Sequence, residues 1–183
     1  MKKIMIPLAN GFEEIEAITN IDDLRKERIE VVTVSINEKF EVKGDHGIFI
    51  KADEKITNIN PDELSGVVLP GGMPGAANLR DNEDLIKNIK KVNNDKGLLA
   101  AICAAPIVLE KAGIIKNKQA TSYPGFGEEM SSCNYSQDKV VRDDNIITGR
   151  GPGVAMDFAM EIVSYLLDTD TSQELKANMI FDK

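Results

Sequence analysis

Cys103 is the residue of this sequence best placed for nucleophilic chemistry. It follows the unbroken apolar run Leu98–Ile102 and precedes Ala104-Ala105-Pro106. The run predicts a buried strand and the next residues predict a helix, so the sulfur would emerge at the strand end beside the free N–H groups of the helix. Such groups and the helix dipole stabilise a thiolate and lower its pKa. The alternative is a buried structural cysteine, the commoner role of a free thiol.

Two glycine clusters follow other predicted strands. Gly71 and Gly72 follow the apolar run 66–69 after Pro70, and glycines there let backbone N–H groups approach a substrate oxygen. A plain turn between strand and loop is the alternative for this pair. The segment 149–153, Gly-Arg-Gly-Pro-Gly, could hold an anion, but its spacing matches neither a Walker motif nor a dinucleotide fingerprint. We interpret it as a tight structural turn.

A cysteine nucleophile needs a base, and the sequence offers few candidates. His46 is the only histidine and lies in a charged segment, so we interpret it as a surface residue and expect no Cys-His-Asp triad. Carboxylates remain: Glu13, Glu14 and Glu16 follow the first predicted strand. The helical wheel does not choose among them, and a solvated first helical turn is the alternative. We predict no metal site, because no cluster of His, Cys and Asp has ligand spacing.

Composition sets the class of protein that must position these residues. The chain has 183 residues, of which 42% are apolar and 28% charged, with a net charge of −8 and a sequence pI near 4.8. One domain, residues 1–183, is expected. The acidic balance argues against a nucleic-acid or anionic-membrane surface. Two cysteines and no long apolar run predict a cytoplasmic protein without disulfides or a membrane span.

Apolar periodicity alternates between the strand and the helix repeat. Strands are predicted at Lys3–Leu8, 30–36, 66–69, Leu98–Ile102, 120–122 and 139–148, with a hairpin within 37–60. Helices are predicted at 13–28, from a cap at Asp81 or Asn82 to a stop at Gly97, at 104–111 and at 154–167. This alternation predicts a mostly parallel sheet with helices on both faces. Ligands bind such sheets beyond the carboxyl ends of the strands, here the turns after Leu8, Leu69, Ile102 and Ser122.

Four segments together resemble the ThiJ/PfpI superfamily, in the branch of the protein deglycases. They occur in the family's order and spacing over nearly the whole chain. They are 11–16 (Gly-Phe-Glu-Glu-Ile-Glu), 67–72 (Val-Val-Leu-Pro-Gly-Gly), 100–106 (Ala-Ala-Ile-Cys-Ala-Ala-Pro) and 150–153 (Arg-Gly-Pro-Gly). The resemblance implies a flavodoxin-like three-layer sandwich, a homodimer, and an enzyme without a cofactor that acts on reactive aldehydes such as methylglyoxal or on their glycated products.

The resemblance also assigns roles to individual residues. It implies that Cys103 is the reactive cysteine, that Glu16 is protonated and hydrogen-bonds it, and that the backbone at Gly71, Gly72 and Ala104 forms an oxyanion hole. A neutral carboxyl group beside a thiolate is physically reasonable, because burial and the adjacent negative charge raise its pKa.

The sequence departs from the superfamily at two positions. Ala104 stands where the proteases carry histidine, which argues against peptidase activity. Tyr123, a possible accessory residue, stands where the deglycase branch usually carries histidine, and a tyrosine is a poor base near neutral pH. Three hypotheses remain in this order: an aldehyde-processing enzyme, a redox-sensing or chaperone-like stress protein in which Cys103 is oxidised, and a non-catalytic domain of the same fold.

Overall fold

The structure is a computed structural model that describes residues 3–181. Within these residues, seven strands form one sheet in the order β10-β11-β7-β6-β1-β2-β5. The strands are β1 (Lys3–Leu8), β2 (Val31–Ser35), β5 (Glu54–Lys55), β6 (Leu64–Leu69), β7 (Leu98–Ile102), β10 (Val140–Asp143) and β11 (Ile146–Gly149). All neighbours pair in parallel except β10, which is antiparallel to β11. Two small sheets pair β3 (Glu41–Lys43) with β4 (Phe49–Lys51) and β8 (Gln119–Ala120) with β9 (Asn134–Tyr135).

Helices cover both faces of the sheet. One face carries α1 (Glu14–Lys26), α5 (Ala155–Leu166) and α6 (Thr169–Asn178), and the other carries α2 (Gly75–Arg80), α3 (Glu83–Asn94) and α4 (Pro106–Lys111). Side chains of a strand alternate between the two cores: Leu99 and Ala101 of β7 enter one, and Leu98, Ala100 and Ile102 enter the other. Burial on both faces explains why β7 is apolar at every position. The predicted α/β sandwich with a mostly parallel sheet is therefore confirmed.

Most predicted elements are found, with changes at their ends. β7 matches its predicted range, and Asn82 caps α3 by accepting from the Leu85 N–H. The chain turns after α3 at Lys96, which has a φ of 57°, one residue before the predicted stop at Gly97.

Two predictions are wrong in part, and a third is refined. The range 37–60 holds more than a hairpin, because β5 leaves it to pair with β2 at the sheet edge. The strand material predicted in 139–148 is present, and it forms an antiparallel hairpin of two strands. The strand predicted at 120–122 is only β8, which lies outside the main sheet. Helices α2 and α6 were not predicted, because α2 is short and α6 has a weak apolar stripe.

None of the helices within residues 3–181 is both long enough and apolar enough to cross a membrane.

Candidate active site

Cys103 lies on a sharp turn at the carboxyl end of β7. Its φ is 63°, a left-handed conformation that non-glycine residues rarely adopt. Two backbone hydrogen bonds hold it there: the Cys103 N–H donates to the Gly149 carbonyl at 2.9 Å, and the Cys103 carbonyl accepts from the Tyr123 N–H at 2.8 Å. The residue is 9% exposed, so its side chain is almost covered. Such strain at a covered thiol is typical of a functional site.

The groups that stabilise a thiolate here are single N–H groups and not a helix dipole. The helix predicted to start at Ala104 begins at Pro106, after a turn of three residues. The backbone N–H groups of Gly72 and Ala104 interact with the sulfur and lower the pKa of Cys103. They come from two neighbouring strand ends, which the sheet brings together. The predicted helix beside the sulfur is therefore corrected. Of the three predicted backbone groups, Gly72 and Ala104 act on the sulfur, whereas the Gly71 N–H donates to Glu16 at 2.8 Å because the turn after β6 directs it to that carboxyl group.

Of the three candidate carboxylates, the fold brings Glu16 to the sulfur. Glu16 is 0% exposed, its Oε2 accepts from the Gly71 N–H at 2.8 Å, and its carboxyl group is close enough to the Cys103 side chain for each to shift the pKa of the other. Glu13 precedes α1 and caps it, its Oε2 accepting from the Glu16 N–H at 2.7 Å. Glu14 turns to the other side of the helix and contacts His46. Helical geometry separates the three because adjacent residues point in different directions.

Gly71 and Gly72 are glycines for steric reasons. A Cβ at Gly71 would lie 2.7 Å from the Cβ of Cys103 and 2.8 Å from Oε2 of Glu16. Gly72 has a φ of 86°, and a Cβ there would lie 2.4 Å from the Glu13 nitrogen. Any side chain in this turn would separate Glu16 from Cys103 or push the start of α1 away. The glycine pair therefore keeps three segments in contact at the site.

The pKa values of the pair are coupled. Burial raises the pKa of Glu16 to about 7, and burial together with the negative charge of Glu16 raises the pKa of Cys103 to about 12. The lowered thiol pKa predicted from the sequence is thus wrong for a thiol that faces an ionised Glu16. Between these two values the pair holds one proton, which either atom can carry. When Glu16 carries it, the carboxyl group donates to sulfur and favours the thiolate.

One oxygen of Glu16 favours the protonated carboxyl group. Within residues 3–181, Oε1 is buried without a hydrogen-bond partner. A buried carboxylate oxygen that accepts no hydrogen bond is costly, whereas a protonated oxygen can donate to the adjacent sulfur. This arrangement can supply a nucleophilic thiolate and a neutral acid in contact with each other.

A cleft of about 330 Å³ is lined by Tyr123, Pro124 and the segment 150–154, and Tyr123 connects it to Cys103 through its backbone hydrogen bond. Tyr123 is 47% exposed, and its ring lies against Gly151, where an added Cβ would approach within 3.2 Å. The segment 149–153 is the tight turn predicted from its sequence, and a short 3₁₀ turn, Pro152–Val154, follows the strand. The end of β11 belongs to the site, because the Gly149 carbonyl accepts from the Cys103 N–H, although the sequence pattern of the segment 149–153 indicated a structural turn. Its position after a predicted strand was the available signal.

His46 is an exposed surface residue, as predicted, but it has a specific partner. Its backbone N–H donates to Oε1 of Glu14 at 2.7 Å, and its ring Nδ1 lies 3.0 Å from Oε2 of the same carboxylate. This contact raises the pKa of His46 and helps to lower that of Glu14. Glu13, Glu14 and His46 form a cluster with ligand atoms within 4.8 Å of one another, which the sequence spacing did not indicate. The oxygens of Glu14 are already occupied by these contacts.

Cys133 lies apart from the site. Its side chain is half-buried, and its Sγ donates to the Met130 carbonyl at 3.2 Å. Burial raises the pKa of Cys133. It offers a natural internal control for the reactivity of Cys103.

Known proteins share this arrangement of strands and segments. The model of the DJ-1/PfpI family matches residues 2–165. Protein DJ-1 homolog B of Arabidopsis thaliana is 35% identical over 98% of this chain, which spans only 41% of that protein. Deglycase PfpI of Pyrococcus furiosus is 34% identical over 90% of this chain and 99% of that protein. The solved structure of oxidized Toxoplasma gondii DJ-1 has a TM-score of 0.94 and 31% identity, with 100% of both chains covered.

The match therefore extends over most of the chain in sequence and over its whole length in fold. It includes the strand ends that carry Cys103 and Gly72 and the first turn of α1 with Glu16. The chain belongs to the DJ-1/PfpI family.

Proposed function

We propose that this protein is a cysteine enzyme, without a cofactor, that converts reactive aldehydes, in the manner of a glutathione-independent glyoxalase or protein deglycase. The observation that carries the proposal is the contact between the buried Glu16 carboxyl group and the Cys103 side chain, on a strained turn faced by two backbone N–H groups. A relative named Deglycase PfpI supports the same class of chemistry. Ala104 directly after the cysteine leaves no adjacent histidine of the protease type, so peptidase activity is not proposed.

The chemistry with methylglyoxal needs only the groups at the site. The Cys103 thiolate attacks the aldehyde carbon and forms a hemithioacetal, while Gly72 and Ala104 N–H groups stabilise the developing oxyanion. Glu16 supplies the proton that neutralises this oxygen, then removes the hydrogen on the same carbon as a proton and returns a proton to the neighbouring carbon, while the hydroxyl proton passes to the oxygen of that neighbouring carbon. The product is a thioester of lactic acid. Water cleaves it, which releases lactate and restores the thiol, with no net oxidation.

Glycated amines or thiols carry the same aldehyde unit as an adduct, and the same attack would release it. Tyr123 borders the cleft in place of the histidine of the deglycase branch and acts in this proposal as a wall and hydrogen-bond donor. Proton transfer then depends on Glu16. We place the reaction in a reducing compartment, the cytoplasm, because Cys103 must stay a free thiol.

The test is lactate formation from methylglyoxal by the purified protein without glutathione or added cofactor. We expect activity in the wild type, its loss in Cys103→Ser and little change in Cys133→Ser, the matched cysteine control. Lactate formation at the wild-type rate by Cys103→Ser would sink the mechanism. Circular dichroism would show that each variant is folded.

A second function is favoured by the same N–H groups and by Tyr123. Peroxide would oxidise the thiolate: the sulfur attacks one peroxide oxygen, the O–O bond breaks and hydroxide leaves, which gives the sulfenic acid. A second peroxide gives the sulfinate, whose oxygens the N–H groups of Gly72 and Ala104 and a protonated Glu16 would hold. One solved relative is described as oxidized, which is a statement about that protein. The protein would then sense oxidative stress or act in a chaperone-like manner.

Mass spectrometry after mild peroxide treatment tests this second function. We expect Cys103 to gain two oxygens before Cys133 gains one. Equal oxidation of the two cysteines would remove the reason to propose it.

A further inference from the structure

Three hydrogen bonds form a closed ring at the start of α1. The Glu13 N–H donates to the Gly71 carbonyl at 2.9 Å. The Gly71 N–H donates to Oε2 of Glu16 at 2.8 Å, and the Glu16 N–H donates to Oε2 of Glu13 at 2.7 Å. Glu13 thus donates to Gly71, Gly71 donates to Glu16, and Glu16 donates back to Glu13. The ring joins the helix to the turn after β6, and it fixes the Glu16 carboxyl group relative to Cys103.

Glu13 enters this ring with both its backbone and its side chain. Its φ of −82° and ψ of 121° are the extended values of a helix N-cap. The N-cap residue is most often Ser, Thr, Asp or Asn, whose short side chains reach the backbone N–H groups of the first turn. Glu13 makes the same contact with a longer side chain. Gly72 packs directly against the Glu13 backbone, since an added Cβ would lie 2.4 Å from the Glu13 nitrogen, and the hydrogen bond from the Glu13 N–H to the Gly71 carbonyl ties Glu13 to this turn. The side chain of Glu13 is therefore held beside Glu16.

The charge of Glu13 acts on the two members of the pair unequally. Its negative charge raises the pKa of Glu16, whereas it does not appear among the groups that shift the pKa of Cys103. Glu13 and Cys103 are the titratable side chains in residues 3–181 that shift the pKa of Glu16. The Glu13 carboxylate itself faces Glu14 and His46, whose ligand atoms lie within 4.8 Å of it, and its charge is among the causes that raise the pKa of His46. A negative charge nearer to Glu16 disfavours the carboxylate more than the thiolate. It therefore moves the shared proton toward Glu16 and the negative charge toward sulfur.

We propose that Glu13 is a positioning residue of this site, which fixes the Glu16 carboxyl group through the ring and biases the proton of the Glu16–Cys103 pair onto Glu16. The proposal deepens the proposed function and rests on it for its biological meaning. The physical claim concerns only the reactivity of the thiol. Glu13 touches neither substrate nor sulfur in this role.

The experiment measures the rate of Cys103 alkylation by iodoacetamide from pH 5 to 10 in a Cys133→Ser background. Glu13→Gln keeps an oxygen for the Glu16 N–H but removes the charge, Glu13→Asp keeps the charge on a shorter stem, and Glu13→Ala removes both. Asp22→Asn is the matched control, because Asp22 is an exposed acid of the same helix that pairs with Lys26 away from the site. Circular dichroism and a thermal melt accompany each variant.

We expect Glu13→Gln to lower the midpoint of the alkylation profile and to reduce the rate above it by about threefold to tenfold, since less of the pair is thiolate. Glu13→Asp should restore most of both properties. Glu13→Ala should lose more than Glu13→Gln, because Glu16 also loses its fixed position.

Two results would overturn the proposal: a Glu13→Gln profile that superimposes on that of the parent protein, or an Asp22→Asn profile shifted by the same amount. Failure of the proposed function has a different signature. In that case the alkylation profiles shift as described while neither the parent nor the variants form lactate from methylglyoxal.

Discussion

At the scale of the residue, the site depends on one proton shared by two side chains. Cys103 has a left-handed backbone, which turns its sulfur away from the strand and toward Glu16. Glu16 is fully buried, and its carboxyl group accepts a backbone hydrogen bond from Gly71. The pair therefore behaves as one acid that loses its first proton near pH 7 and its second near pH 12. We therefore expect any reactivity of the Cys103 thiolate near neutral pH to follow the first of these steps.

Glu16→Gln tests this shared proton. An amide can still accept from the Gly71 N–H, but it has no proton to exchange with sulfur, so we expect the rise in Cys103 alkylation near pH 7 to disappear. The thiol should titrate alone at higher pH, with a loss at pH 8 on the order of tenfold for each pH unit by which the midpoint rises. Alkylation is measured with Cys133→Ser in the background. An unchanged profile would show that Glu16 and Cys103 titrate independently.

The same substitution has an expected effect on stability. Burial raises the folded-state pKa of Glu16 from 4.5 to about 7, so the folded protein binds a proton there that the unfolded chain has released. Glu16 thus contributes stability below pH 4.5, and this contribution is lost as the pH rises to about 7. We expect the free energy of unfolding to fall less between pH 5 and 8 in Glu16→Gln than in the wild type, as measured by urea unfolding. Equal slopes in the two proteins would contradict the assigned pKa.

At the scale of the element, loops and not helices set the distances within the site. The turn after β6 contacts the start of α1 and the end of β7 at once, and Gly71 and Gly72 make this possible. In the parallel sheet, β6 and β7 are neighbours, so their carboxyl ends meet at one edge. A change in this turn should therefore cost both stability and activity.

Gly72→Ala and Gly113→Ala separate backbone strain from crowding. Both glycines have a positive φ, 86° and 75°, but an added Cβ meets the Glu13 nitrogen at 2.4 Å in the first and nothing within 4 Å in the second. We expect Gly113→Ala to cost about 1–3 kcal/mol from strain alone. Gly72→Ala should cost about 1–3 kcal/mol more from crowding, and it should lower methylglyoxal turnover. Urea unfolding measures both losses, and equal losses would rule out the tight contact.

At the scale of the whole molecule, an apolar patch lies close to the site. Ile15 and Ile18 are 58% and 43% exposed on α1, and Ile48 and Phe49 are 51% and 63% exposed next to it. The Glu14 carboxylate joins the two parts, because it caps the turn that leads to β4. Exposed apolar side chains grouped in this way mark an interaction surface. The patch fits the homodimer that the family resemblance implies, which remains a prediction.

Phe49→Glu tests the dimer. We expect the wild type to sediment as a dimer and Phe49→Glu to dissociate at the same concentration, because a charge would be buried in an apolar interface. Ile180→Glu is the control, since Ile180 is 72% exposed near the end of the described chain and outside the patch. Analytical ultracentrifugation measures the masses. A monomeric wild type, or a Phe49→Glu variant that stays dimeric, would show that this patch is not the interface.

The sequence by itself determined the class of fold and the identity of the nucleophile candidate. Strand β7 was predicted residue by residue, because a strand buried on both faces must be apolar throughout, and such a run is unambiguous in the sequence. The alternation of strands and helices sufficed for the parallel sheet, since parallel neighbours need a crossover between them. The edge of the sheet that holds the candidate site was also predicted, because ligands bind parallel sheets beyond the carboxyl ends of the strands. The residues resembling the family then suggested Glu16 as the partner of Cys103.

Only the tertiary structure decided which groups meet at that edge. Glu13, Glu14 and Glu16 look alike in sequence, but packing directs the first to the cap of α1, the second to His46 and the third to the sulfur. The start of α4 at Pro106 and the contact of Gly149 with Cys103 depend on neighbouring strands that are distant in sequence. The direction of the Cys103 pKa shift likewise depends on burial and on the nearby Glu16 carboxyl group. Such quantities arise from contacts between distant segments, and local patterns of residues do not encode those contacts.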